Sequence, residues 1–519
     1  MKSRLSRRSF LKLAGVTAAA STLPASRVWG VPALIQPERT ITIGINTFPS
    51  ASLDTHYETG SQIGGRVRSL YCEQLTNIAR NGEVEPRLAS DWTVDGTEWR
   101  FTLRPDVQFQ DGSTLTAEDV VFSLNRVMAG REGLVVDVSD SFTPYITSVE
   151  ATGDLEVTIT TPTPDPLMPL RLASDSAYII PQGYTESVDA DTMSRTPITA
   201  GPYRIVETNL TDLIVMERHS EYWQGAPAAS QVILRVIPET STRLAAFQAG
   251  EIDLMVNMPL DLIEQINNTP GLRVSNALLG NWMSALFSTK VSPVDNVNFR
   301  RALSKAIDRQ AIVDALWLGL SEVMTDYFVP GEFGFMPGRA GYPYDPDGAR
   351  RDLEAAGYAG EPFPFTPIVG YYPNDSLIGP VLSEMWQAVG VNVTFEQLDP
   401  ATYGAQLFAG NTVASIQSIG PSSDPFFFFE LWASEASLFR ANYYTPPAEF
   451  DELWAANLTE LDQDVRYANF RRMADIFDND VPLTPLYRSL DSYGVRADII
   501  WEAHPSFEID FRPGSLSFE

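Results

Sequence analysis

His56, His219 and His504 are the only imidazoles among 519 residues, and Cys72 is the only thiol. They are far apart in the chain, so the pattern favours neither a histidine-based metal cage nor a Ser-His-Asp relay. No G-x-S-x-G elbow, glycine-rich nucleotide loop, P-loop or H-E-x-x-H helix is present. The 66 acidic residues leave one hydrolytic option, a carboxylate pair of the glycosidase kind, but no spacing singles out such a pair. What remains is the chemistry of binding. The polar turn Tyr371-Tyr372-Pro373-Asn374-Asp375 offers aromatic faces beside hydrogen-bonding groups.

The elements around that turn give it a position. Residues 364–370 read as a strand, and Ile378, Val381, Leu382, Met385, Trp386 and Val389 mark one face of a helix. Val391-Asn392-Val393-Thr394-Phe395 alternates as a second strand, completing a βαβ unit. Parallel sheets place ligands at the carboxyl ends of their strands, and the tyrosine turn sits at such an end. Upstream, residues 41–45 predict a strand running into the loop Asn46-Thr47-Phe48-Pro49-Ser50. Residues 99–104 and 156–160 alternate as half-buried strands, and Thr116 can cap a helix whose Val120, Leu124, Val127 and Met128 share a face. Residues 243–249 predict a short helix stopped by Gly250, followed by a strand over 251–256. After Pro482 the chain reads as extended.

The composition, 44% hydrophobic and 20% charged, supports several packed cores in a globular protein. No flexible linker or internal repeat separates them, so lobes joined by several close crossovers are expected. Residues 1–30 are basic, then apolar from Leu11 to Leu23, then rich in small residues, an export signal removed near Gly30. Ser6-Arg7-Arg8-Ser9-Phe10-Leu11-Lys12 resembles the twin-arginine signal, whose system exports folded proteins. Cys72 can form no intramolecular disulfide and is expected as a small buried hydrophobe. The segment 13–40 offers no cysteine for a lipid anchor, so a soluble periplasmic protein is expected. Residues 1–30 hold six basic and no acidic side chains, so the remainder carries about −35 against the formal −29 of the whole. Nucleic acid would be repelled.

Blocks of sequence in register carry a family resemblance. Tyr71-Cys72-Glu73-Gln74-Leu75 and residues 82–92 open it. Glu98-Trp99-Arg100-Phe101, Val107-Gln108-Phe109-Gln110-Asp111-Gly112 and Ala117-Glu118-Asp119-Val120 continue it. Ala200-Gly201-Pro202-Tyr203, residues 221–227, Ala249-Gly250-Glu251-Ile252-Asp253 and Phe299-Arg300-Arg301-Ala302-Leu303 follow. The pattern resembles the peptide, opine and nickel class of extracytoplasmic solute-binding proteins, family 5, over residues 40–510.

The resemblance implies an α/β, two-lobed periplasmic binding protein (type II, cluster C-like) with an extra subdomain in the N-terminal lobe. The implied division is a signal over 1–30, an N-terminal lobe over 31–265 with the subdomain at about 50–190, a second lobe over 266–482, and a segment over 483–519 returning to the first lobe. The implied role is capture of a small solute, opine-like, sugar-like or peptide, for the membrane subunits of an ABC-type permease. The protein would act as a monomer, with no cofactor, no metal and no catalysis; nickel and haem stand behind the organic cargoes. In the dipeptide branch an aspartate and an arginine hold the ligand's termini, and these positions fall on Pro421 and Val369. The candidate ligand-binding set is therefore Phe48, Trp282, Tyr371, Tyr372, Ser418, Asp424, Phe426 and Trp432, weighted toward aromatic faces.

Overall fold

The computed structural model describes residues 38–48, 52–56, 62–130, 142–174, 176–209, 211–420, 423–435 and 437–519. The export signal lies outside them. The β-branched alternation after Arg39 forms β1 (Thr40–Ile45), with Ile41, Ile43 and Ile45 buried. Around it stand β2 (Tyr203–Thr208), β3 (Leu213–Arg218), β4 (Gln231–Val236), β5 (Leu254–Val256), β6 (Leu272–Phe287), β7 (Ala414–Ile419) and β8 (Leu483–Arg496). They build one mixed eight-stranded sheet in the order β7-β6-β8-β5-β1-β4-β3-β2. β1 runs parallel to both β4 and β5, while β6 and β8 are antiparallel.

β6 and β8 belong to more than one core. Ala277 of β6 and Tyr493 and Val495 of β8 pack in the cluster around β1. Trp282 and Leu286 of β6 pack in a second, aromatic cluster with Phe428 and Phe477. Met283 and Phe287, with Leu486 and Tyr487 of β8, join a third around Trp386. The two longest strands therefore run from one core to the next. Their ladder breaks between Leu278 and Trp282, which frees backbone groups where the strands change cores. Arg488 of β8 fills the break: its Nε donates to the Leu279 carbonyl at 3.1 Å, and its Nη2 donates to Leu278 at 3.2 Å and Leu279 at 2.9 Å. Its remaining nitrogen, Nη1, meets Glu322 at 3.0 Å.

The extra subdomain is a four-stranded antiparallel sheet, with Ala89–Asp95, Glu98–Leu103, Glu156–Thr160 and Ser148–Gly153 in that spatial order. Its helix, Ala117–Met128, begins at a reciprocal cap between Thr116 and Asp119 and buries Val120, Leu124 and Val127. The motif residues meet at its root. Gln110 Nε2 donates to the Tyr203 carbonyl at 2.6 Å and to the carbonyls of Tyr71 and Gly201 at 3.2 Å. A Cβ on Gly201 would overlap the Tyr71 carbonyl and the Cys72 nitrogen, so this approach requires glycine. Farther along, Glu73 is fully buried and receives Arg512 Nε at 3.2 Å, which fastens the C-terminal tail to the first lobe.

In the second lobe Phe363–Phe365 and Val393–Phe395 pair in parallel, as the βαβ pattern requires. Helices α1 (Gln62–Tyr71), α2 (Arg309–Trp317) and α3 (Asp375–Ala388) bear on the site, and α3 is the helix of that unit. Its Trp386 packs edge-on against Phe363 and Phe365 and donates Nε1 to the Leu303 carbonyl at 3.0 Å. The strand expected over 364–370 covers only Phe363–Phe365: Pro367 supplies no N–H to continue the ladder, and pairing returns only as the single bridge of Ile368 to Leu398. The strand expected over 251–256 likewise begins only at Leu254. Among the described residues no helix is long and apolar enough to cross a membrane.

Replacing Arg488 by Leu leaves the carbonyls of Leu278 and Leu279 without their donor in a buried strand crossing. Urea unfolding is expected to show a loss of about 2–4 kcal/mol, with Arg488→Lys recovering little because an ammonium lacks the fork. Stability within about 0.5 kcal/mol of the native protein would remove Arg488 from this role.

Candidate functional site

The strand ends and the crossing strands enclose a cavity of about 790 Å³. Asn46 and Asn257, each just past the carboxyl end of a parallel strand, β1 or β5, reach it from one side. With them come Arg66 of α1, Ser489, Asp491 and Ser492 of β8, and Phe507 of the C-terminal segment. Leu279, Asn281 and Met283 of β6 contribute from the crossing itself. The second lobe supplies Leu316, Trp317 and Leu318 at the end of α2, the turn from Gly370 to Asn374, Leu377 of α3 and Ser418 of β7.

The floor of the cavity is a buried ion pair. Arg66 Nη2 lies 2.8 Å from Asp491 Oδ2, and Arg66 Nη1 donates to the Tyr493 hydroxyl at 2.5 Å. The guanidinium also lies over the rings of Tyr493 and Phe507, at 5.3 and 5.1 Å. Burial opposes the charge on Arg66, but Asp491 and Tyr493 outweigh it and hold its pKa above the ordinary value. Burial, reinforced by the Asp491 charge, drives the Tyr493 hydroxyl far above the usual phenol range. Arg66 and Tyr493 are separated by 427 residues, a meeting that no local pattern announces.

The opposite wall is aromatic and held from behind. Asp375 Oδ2 accepts the backbone N–H groups of Tyr371 at 2.6 Å and Tyr372 at 2.8 Å. Asn374, in the left-handed region at φ 60°, donates Nδ2 to the Leu316 carbonyl at 2.7 Å and ties the turn to the end of α2. The two tyrosine rings meet edge to face at 4.8 Å. Tyr371 is 64% exposed at the mouth, while Tyr372 is half-buried and its hydroxyl is pushed up to about 12 by burial, the Ser418 backbone opposing the shift.

Of the residues singled out from sequence, Tyr371, Tyr372 and Ser418 line this cavity. The structure places the others elsewhere. Trp282 stands between Asn281 and Met283 on β6; strand alternation turns those two to the cavity and Trp282 to the aromatic core, against Tyr327 and Phe428. Asp424 is occupied by structure: it caps the helix Pro425–Ala433 and holds Arg466 through both oxygens at 2.9 Å. Phe426 stacks on Trp454 at 4.6 Å and lies 5.6 Å from the Arg171 guanidinium of the subdomain, whereas Trp432 is sealed among Phe439, Tyr444 and Phe477. Phe48 packs on the β1 core. Val369 bonds its amide to the Leu398 carbonyl at 2.9 Å and does not line the cavity, and Pro421 lies outside the described residues. Sequence reasoning missed Asn46, Arg66, Asn281 and Asp491. Only Asn46 carried a signal, as the first residue of the loop after β1.

The model for bacterial extracellular solute-binding proteins, family 5, matches residues 83–438. The chain belongs to that family. A twin-arginine translocation signal model matches residues 4–24, so the family-5 protein is exported to the periplasm. It is similar to heme-binding protein A of Haemophilus influenzae, 25% identical over 79% of each chain. The glutathione-binding protein GsiB of Pectobacterium atrosepticum is 28% identical over 89% of this chain and 87% of its own. The solved structure of HbpA2 from Haemophilus parasuis superposes with a TM-score of 0.80 at 23% identity, over 93% of this chain and all of the other, and supports the two-lobed fold.

Tyr371→Ala removes an exposed ring and should leave unfolding stability within about 0.5 kcal/mol. It should weaken binding of the solute retained on purification by about 1 kcal/mol or more, measured by calorimetry. Asp375→Ala should weaken binding comparably with both rings intact, because the turn loses its anchor. Unchanged affinity in both variants would take the tyrosine wall out of the site.

Proposed function

We propose that this protein is the solute receptor of an ABC-type importer, capturing a small organic solute between its lobes and presenting the closed form to the membrane permease subunits. The observation that carries this reading is the cavity's position on β6 and β8, which contribute to the cores of both lobes. A solute that touches both walls ties the lobes together, and that geometry can be read by a partner. A volume of about 790 Å³ suits a small organic molecule. The chain acts as a monomer and returns its solute chemically unchanged.

The cargo is an opine-like or sugar-like solute ahead of simple dipeptides. A free dipeptide brings an ammonium and a carboxylate into a closing cleft, and each loses hydration worth several kcal/mol unless an opposite charge receives it. Arg66 is the one basic side chain among the described residues lining the cavity, and Asp491 already holds it. Native mass spectrometry of freshly exported protein should reveal a retained small molecule, which should then bind the stripped protein with 1:1 stoichiometry in calorimetry. Unblocked dipeptides should bind weakly in the same assay. Submicromolar dipeptide binding would overturn the cargo reading, and chemical turnover of the retained molecule would overturn the receptor reading in favour of a hydrolase.

A further inference from the structure

We propose that the solute is an amphipathic, non-anionic molecule, with a hydrogen-bonding end on the Arg66–Asp491 floor and an apolar body against Leu318, Tyr371 and Leu377. This rests on the receptor reading above and narrows it to a chemical class. The cavity's two walls differ in kind. The first-lobe side gathers the polar groups Asn46, Arg66, Asn257, Ser489, Asp491 and Ser492, interleaved with Met258, Leu260 and Phe507. The second-lobe side is mostly apolar, and its Asn374 amide is taken up by the Leu316 carbonyl.

The apolar wall is left open to water. Leu318, Tyr371 and Leu377 are 56%, 64% and 51% exposed, and all three line this one cavity. Exposed apolar groups gathered in a concave site mark a place where a ligand removes them from water. Leu318 adds a second sign. It ends α2 in the left-handed region at φ 54°, where a glycine would be unstrained. Strain of this kind persists where the surroundings impose it and gathers at ligand clamps.

The polar floor selects by charge and by hydrogen-bonding sense. Asn46 Oδ1 and Asn281 Oδ1 are buried acceptors without a partner and favour a ligand that brings hydroxyl or N–H donors, while Arg66 Nε is a buried donor that can take a neutral ligand acceptor. Beside the paired Arg66 and Asp491, the only other charged lining residue among the described residues is Asp261, which is exposed and negative. A ligand carboxylate would find no free cation among these residues and would approach a strongly acidic protein. The site therefore favours a sugar-like or amide-bearing solute with an apolar substituent over an acidic opine.

A matched pair of fluorescent probes tests this on protein stripped of solute by reversible urea unfolding. N-phenyl-1-naphthylamine is neutral with one N–H donor, and 8-anilinonaphthalene-1-sulfonate carries a related ring system with an added anion. The neutral probe should bind at least tenfold more tightly. The double variant Leu318→Ser, Leu377→Ser should weaken it at least fivefold without lowering the melting temperature, since both side chains are mostly exposed. Equal affinity for the two probes, or neutral-probe binding untouched by the double variant, would overturn the proposal. If the protein closes on glucose or a dipeptide yet brightens neither probe, the amphipathic reading fails while the receptor reading stands. If it retains no solute and closes on nothing, both fail.

Discussion

Two long strands that must serve three separate hydrophobic cores set the terms for this protein. β6 and β8 cannot keep an unbroken ladder across the change, and the break between Leu278 and Trp282 leaves carbonyls without ladder partners. A single guanidinium supplies the missing donors. Arg488 suits the task because its planar fork can reach two neighbouring carbonyls and an acidic side chain together. The same irregularity leaves Leu279 and Asn281 on the cavity wall, so the crossing between lobes is also part of the site.

The cavity's chemistry follows from which groups are already satisfied. The charges of Arg66 and Asp491 answer each other, Asp375 is engaged by the backbone of the tyrosine turn, and Asp424 by Arg466. Such buried pairs contribute geometry more than net stability, since desolvation offsets most of their attraction. What they leave for a solute is a polar surface of amide and hydroxyl groups facing an aromatic and aliphatic one. The acidic coat of the molecule acts at longer range, through the sign of charge it repels.

Much of the fold was legible because its signals are local. The βαβ unit, the Thr116-capped helix and the first strand each follow from periodicity and capping within a few residues. The tyrosine turn was legible for the same reason, as the end of a parallel strand. The floor was not, because Arg66 and Asp491 meet only after β8 inserts between β6 and β5. Trp282 shows a subtler limit: strand alternation gives its neighbours Asn281 and Met283 to the cavity and turns Trp282 itself to the aromatic core. Asp424, Phe426 and Trp432 share a loop and helix rich in suggestive side chains, yet that segment packs against Arg466, Trp454 and Phe477.

In the proposed receptor, the lobes close about β6 and β8 on a solute that touches both walls. Small-angle scattering on the stripped protein, before and after addition of the solute identified by mass spectrometry, tests it most directly. A smaller radius of gyration and a shorter maximum dimension are expected once the site is saturated. Superimposable curves with and without a saturating solute would contradict it.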